Sequence, residues 1–163
     1  MACPMCRVPH HRLGRRNVVS ALAAAPRALR RAVAGASRRR LGRRPARREW
    51  STTEILGHLL DAEVALAFRI RKLAAEPGAL IVAWDQEKWT DGLRHHRGDA
   101  RTLLEAYAAL RAANVEQVRR LTPRQRTAAG RHPEYGRLRV NQMLEHWAEH
   151  DLNHLEQIRA ALA

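Results

Sequence analysis

Apolar residues recur with helical spacing in four long stretches of this chain, separated by connections rich in Gly and Pro. The clearest stretch opens on Ser51-Thr-Thr-Glu54, a capping box whose hydroxyl and carboxylate each satisfy a backbone N–H at a helix start. Trp50 and Ile55 are spaced as the accompanying hydrophobic staple. Ile55, Leu59, Ala62, Leu66, Ile70 and Leu73 then mark one face to about Ala75, where Pro77-Gly78 stops the helix. Upstream, residues 18–36 read as a first helix, with Pro26 either kinking it or lying in the first turn of a shorter one. Residues 37–48 read as a connector with room for one helical turn. Downstream, Asp99 caps a third helix to about Leu121 whose face carries Leu103, Tyr107, Leu110, Asn114 and Val118. A fourth runs from about Leu138 to Leu162 with Met143, Trp147, His150, His154 and Ile158 in one stripe.

The connections 77–98 and 122–138 are long, and the first carries Trp84 and Trp89, expected to fold back as packing residues. The pattern predicts an all-α four-helix bundle over residues 17–163, preceded by a flexible basic tail over 1–16. Between facing helices is where such bundles build metal and cofactor sites.

Charge changes this picture little. The formal net charge is +14, but residues 1–48 hold 14 Arg and no acid, while residues 49–163 hold 16 basic and 16 acidic side chains. The body is neutral and only the front is basic, as in a solvated arm. No aromatic-interleaved basic face or recognition-helix motif supports nucleic-acid binding, which ranks last among the readings. No stretch approaches the roughly 20 apolar residues of a membrane span, so no membrane partner is expected. Two cysteines are too few for a disulfide framework, which points to a reducing cytoplasm. Arg15-Arg16 before the short apolar run 17–25 loosely resembles a twin-arginine export signal, but a first helix is the preferred reading. Cys3-Pro-Met-Cys6 with His10-His11 is a weak candidate for a second zinc, lacking a partner pair at finger spacing.

The chemistry sits on histidines. His150 and His154, four residues apart, lie one above the other on a helix face, and His58 falls on the inward stripe of another helix. Three inward imidazoles that bind nothing each need a hydrogen-bond partner. Three that converge make a neutral nitrogen set for a divalent metal with one position open, the arrangement of catalytic rather than structural sites. Asp61, His146 and Asp151 are the candidate catalytic or orienting neighbours. Against them stand blander roles: a flanking His for His146, an exposed carboxylate for Asp151. Glu54 already has its capping role, and Asn114 needs a polar partner whether structural or cavity-lining.

Trp50-Ser-Thr-Thr-Glu-Ile-Leu-Gly-His58-Leu-Leu-Asp61-Ala-Glu63, followed by Arg69-Ile70, resembles the second-helix signature of the DinB superfamily. His150-Asp-Leu-Asn-His154-Leu-Glu-Gln157-Ile resembles its fourth-helix signature, and Leu110-Arg-Ala-Ala-Asn114 and His132-Pro-Glu-Tyr-Gly136 resemble family segments. The resemblance covers roughly residues 18–163. It implies a four-helix bundle, often a homodimer, holding a divalent metal, zinc or nickel, on His58, His150 and His154. It also implies thiol-dependent transferase or isomerase chemistry with a low-molecular-weight thiol such as bacillithiol or mycothiol, or metal-dependent hydrolysis. The expected function is therefore a metal-dependent enzyme activating a thiol or water toward a small electrophilic substrate. The competing expectation is a non-catalytic, stress-associated bundle whose metal only stabilises the fold, with His146 as the fourth ligand that would close the shell.

Overall fold

The computed structural model describes residues 12–163. In chain order the elements are α1 (Val18–Val33), α2 (Arg38–Leu41), α3 (Thr52–Ala75), α4 (Gln86–Gly92), a 3-10 turn at His95–Arg97, α5 (Ala100–Arg119), α6 (Pro123–Thr127), β1 (Ala129–His132), β2 (Gly136–Arg139) and α7 (Val140–Ala161). The long helices α1, α3, α5 and α7 form a four-helix bundle in which α1 and α3 each pack on both α5 and α7.

α3 starts and stops where the sequence places it. The Glu54 N–H donates to Ser51 Oγ at 3.3 Å and the Ser51 N–H donates to the Glu54 carboxylate at 2.8 Å, completing the capping box. Arg44 closes over the same carboxylate from the connector. Trp50 packs on the apolar cluster that contains Ile55, as the staple requires.

The core falls into two apolar clusters. One gathers Leu66, Ile70 and Leu73 of α3 with Val115 and Val118 of α5 and Met143, Leu144 and Trp147 of α7. The other gathers Ile55, Leu56 and Leu59 with Leu104 and Tyr107 and with Leu155 and Ile158. Because α3 and α7 contribute opposite halves to each cluster, they run antiparallel. Between the clusters lies a polar layer centred on Arg111, which is 1% exposed. Its Nε donates to Glu63 Oε2 at 2.8 Å, and its Nη1 donates to Asp151 Oδ2 at 2.5 Å and to the Leu22 carbonyl at 3.1 Å. Tyr107 and Trp147 flank the guanidinium at 4.8 and 4.9 Å. Asn114 donates to Glu63 Oε1 at 2.6 Å and accepts from Arg71 at 2.7 Å, which answers its need for a polar partner.

Several expectations need correction. α1 ends at Val33, and Pro26 lies buried inside it rather than in a first turn. The inward face of α5 runs through Leu104, Tyr107, Ala108, Arg111, Asn114, Val115 and Val118, leaving Leu103 and Leu110 half-buried. The helix turns this way because two buried carboxylates, Glu63 and Asp151, require Arg111 inside. The second long connection is not irregular but holds α6 and an antiparallel hairpin, with Ala129 opposite Arg139 and His132 opposite Gly136. The Ile81 N–H donates to the Arg131 carbonyl at 2.8 Å, docking the first long connection on β1. Gly130 permits this approach, since a Cβ there would meet Leu73 at 2.3 Å and the Ala79 carbonyl at 2.4 Å. The expected tail is anchored over its last residues: Leu13 is buried, and the backbone N–H groups of Arg12 and Leu13 donate to Glu149 at 2.8 and 2.7 Å. Cys3, Cys6, His10 and His11 lie outside the described residues.

Replacing Arg111 by Met removes one cation and strands two buried carboxylates. The expected cost is about 3–5 kcal/mol of unfolding free energy, read as a lowered urea midpoint. A loss under about 1 kcal/mol would show that the layer contributes little to stability.

Candidate metal centre

His58 projects from the second turn of α3, and His150 and His154 from successive turns of α7, across the interface where these helices pack. Their ε nitrogens converge. Nε2 of His58 lies 2.9 Å from Nε2 of His150, which lies 3.1 Å from Nε2 of His154. The three ligand atoms sit within 4.8 Å of one another, and the group can hold a metal ion. For comparison, ligand bonds of about 2.0–2.1 Å in tetrahedral zinc separate the nitrogens by about 3.3 Å. The two separations about His150 are within a few tenths of an ångström of that spacing.

Protonation states fit the same use. Gln157 Oε1 accepts from His154 Nδ1 at 2.8 Å, so the Nε2 of His154 presents a lone pair. A neutral imidazole nitrogen offers one hydrogen or one lone pair, so His150 Nε2 can satisfy only one of its two neighbours. A cation accepting all three lone pairs resolves that shortfall. Burial pushes the His58 imidazolium pKa down to about 3, with nearby His154 and His95 adding to the effect. Burial also holds His150 well below its usual value, helped by His154, His58, His146 and Arg111. His154 is lowered by burial, with Gln157 and Asp151 working against the shift. These are rings kept neutral, as metal ligands must be.

Aromatic walls hold His58 in place. Trp84 stacks on it at 5.7 Å with 14° between planes, and Trp50 meets it at 4.9 Å. A cavity of about 260 Å³ opens beside the trio, lined by His150 and His146 of α7, by Ala62, Leu66 and Arg69 of α3, by Trp84, and by His132, Glu134 and Tyr135 of the hairpin.

Among the candidate neighbours, His146 alone lines this cavity, its ring 5.9 Å from that of His150. It stands outside the converging set. Asp61 turns elsewhere, to Nε2 of buried His95 at 2.6 Å. That ring lies over Gly57, where a Cβ would meet it at 2.4 Å. Asp151 is likewise withdrawn, buried in the ion pair with Arg111. Both carboxylates hold partners away from the cavity, and neither lines it. Arg69, His132, Glu134 and Tyr135 were the cavity residues that helical periodicity did not single out. Their signal was present only in the family segments Arg69-Ile70 and His132-Pro-Glu-Tyr-Gly136.

A bundle carrying three convergent histidines on facing helices beside a small cavity is the class of protein that fold and site define. The family model of the DinB superfamily matches residues 21–158, and the chain belongs to that superfamily. No curated protein matches it. Its fold is similar to that of YfiT from Bacillus subtilis, described as a probable metal-dependent hydrolase with an unusual four-helix bundle topology. The two share 19% sequence identity, with a TM-score of 0.83 covering 88% of this chain and 83% of the other.

Neutral His58 has a consequence for stability. Its pKa is depressed in the folded state, so the unfolded chain takes up a proton below about pH 6.5 while the folded protein resists until about 3. Its contribution is therefore complete above pH 6.5 and shrinks as pH falls toward 3. Asp61 and Glu63, both pushed up by burial, act in the opposite direction. The comparison is therefore between metal-free wild type and His58→Gln. Urea midpoints of the wild type should fall more steeply between pH 7 and 5, and parallel profiles would contradict a neutral, buried imidazole.

Proposed function

We propose that this protein is a metal-dependent enzyme that holds a divalent ion, zinc or nickel, on His58, His150 and His154. The carrying observation is the convergence of their three ε nitrogens, kept neutral by burial, at the side of a cavity sized for a small molecule. A bound ion of this kind lowers the pKa of water from 15.7 to about 7, and does the same in kind for a thiol. The reaction is then attack by a water or a low-molecular-weight thiol on a small electrophile in the cavity. Gln157 orients His154, Trp50 and Trp84 exclude water from His58, and His146 stands at the cavity wall to accept or deliver a proton. Three ligands rather than four among the described residues favour this reading over a purely structural metal.

The working unit is a homodimer. Supporting this, Val64 and Phe68 lie exposed one turn apart on α3, 48% and 55% accessible. Val82, whose carbonyl accepts from Arg69 of α3, is exposed as well. Light scattering should give twice the chain mass, and Phe68→Glu should shift it toward the monomer. A monomeric wild type would overturn the dimer.

Protein purified without chelator should carry about one divalent ion per chain by elemental analysis, and His150→Ala or His154→Ala should lose it. Cobalt-substituted protein should change its visible spectrum when a small thiol is added. A spectrum indifferent to thiols and other exogenous ligands would favour a closed, structural site. Protein without stoichiometric metal would remove the basis of the proposal.

A further inference from the structure

The cavity beside the histidines holds two hydrogen-bond donors that the metal reading does not use. Arg69 is 5% exposed yet makes no ion pair among the described residues. Its Nε and Nη2 donate to the Val82 carbonyl at 3.1 and 2.6 Å, which fixes the guanidinium, and burial lowers its pKa despite the opposing pull of Tyr135 and of the exposed Glu134 carboxylate. A buried cation balanced only by an exposed carboxylate gains from a closer anion. His132 is 4% exposed. Its Nδ1 accepts from the Glu134 N–H at 3.2 Å, so the ring proton sits on Nε2, which is buried without a partner among the described residues. Both side chains line the same cavity, and the hairpin register together with the 78–81 segment holds them there.

We infer that Arg69 and His132 form an anion subsite that takes the carboxylate of a small substrate, with His150 at the other side of the cavity near the reacting end. A guanidinium edge pairs with a planar carboxylate, and an imidazole N–H supplies a further donor. Glu134, exposed and the one acid among the lining residues, works against an anion there. This deepens the proposed function by giving the substrate class. It rests on that reading only for what happens at the other end of the cavity.

The test is titration with acetate, succinate, inorganic phosphate and the neutral acetamide, read by tryptophan fluorescence because Trp84 lines the cavity. It is run on protein as purified and on protein stripped of metal and dialysed. Acetate and succinate should bind in both forms and acetamide should not. Arg69→Gln should weaken binding at least tenfold, His132→Phe several-fold, and Glu134→Gln should tighten it two- to fivefold. The last substitution is on an exposed side chain, so it decides the matter even if Arg69→Gln does not fold: no tightening overturns the subsite. Carboxylate binding that disappears with the metal and ignores Arg69→Gln also overturns it, and leaves the metal reading standing. Binding that depends on Arg69 in protein with no metal at all supports the subsite while the metal reading fails. Phosphate bound as tightly as succinate overturns the carboxylate assignment.

Discussion

Everything in this bundle is arranged around one guanidinium. Arg111 of α5 reaches Glu63 of α3, Asp151 of α7 and the Leu22 carbonyl of α1, so one side chain bonds to all three other long helices. Apolar packing alone tolerates small rotations of a helix about its axis, because a stripe of Leu and Ala can slide by part of a residue. A forked cation held between two carboxylates does not tolerate them, since a rotated helix leaves a buried charge unpaired. The ion layer thus sets the rotation of each helix more than it adds net stability.

That rotation is what the candidate metal centre needs. Asp151 is adjacent in sequence to His150, and Glu63 lies five residues beyond His58. Fixing the two carboxylates on Arg111 fixes the azimuth of α7 and α3 within a turn of the histidines. The ε nitrogen of His150 then meets those of His58 and His154 at 2.9 and 3.1 Å. Second-layer contacts complete the arrangement, with Gln157 choosing the tautomer of His154 and Trp84 stacking on His58.

How much of this the sequence discloses depends on the range of the interaction. The α3 start was legible because a capping box is a contact between residues three apart. The histidine pair on α7 was legible because helical spacing alone stacks residues four apart. His58 needed more, the expectation that two stripes face each other. The partners of Asp61 and Asp151, His95 and Arg111, were not legible because they lie 34 and 40 residues away and carry no local signal. Arg111 also breaks the apolar pattern of α5, so periodicity places it outside when it belongs at the centre. The hairpin was not legible for a similar reason: strands of four residues, stabilised by docking on segment 78–81, leave little mark on hydrophobic periodicity.

The cavity's asymmetry follows from these same constraints. Of the three histidines, only His150 lines it. His58 is shielded by Trp50 and Trp84, and His154 is held against Gln157. A small molecule entering from the hairpin side therefore meets the trio through His150, with His146 one turn away on the same helix face. At the approach stand the hairpin's His132 and Tyr135, stacked at 4.4 Å, and the buried guanidinium of Arg69. The bundle supplies a rigid, dry nitrogen cluster, while the two long connections supply the walls that a ligand touches first. On the proposed function, the four helices set the chemistry, and the hairpin and the 77–98 segment set which molecule reaches it. Substitutions in the hairpin and the 77–98 segment can thus reshape the cavity walls without disturbing the ion layer that keeps the nitrogens together.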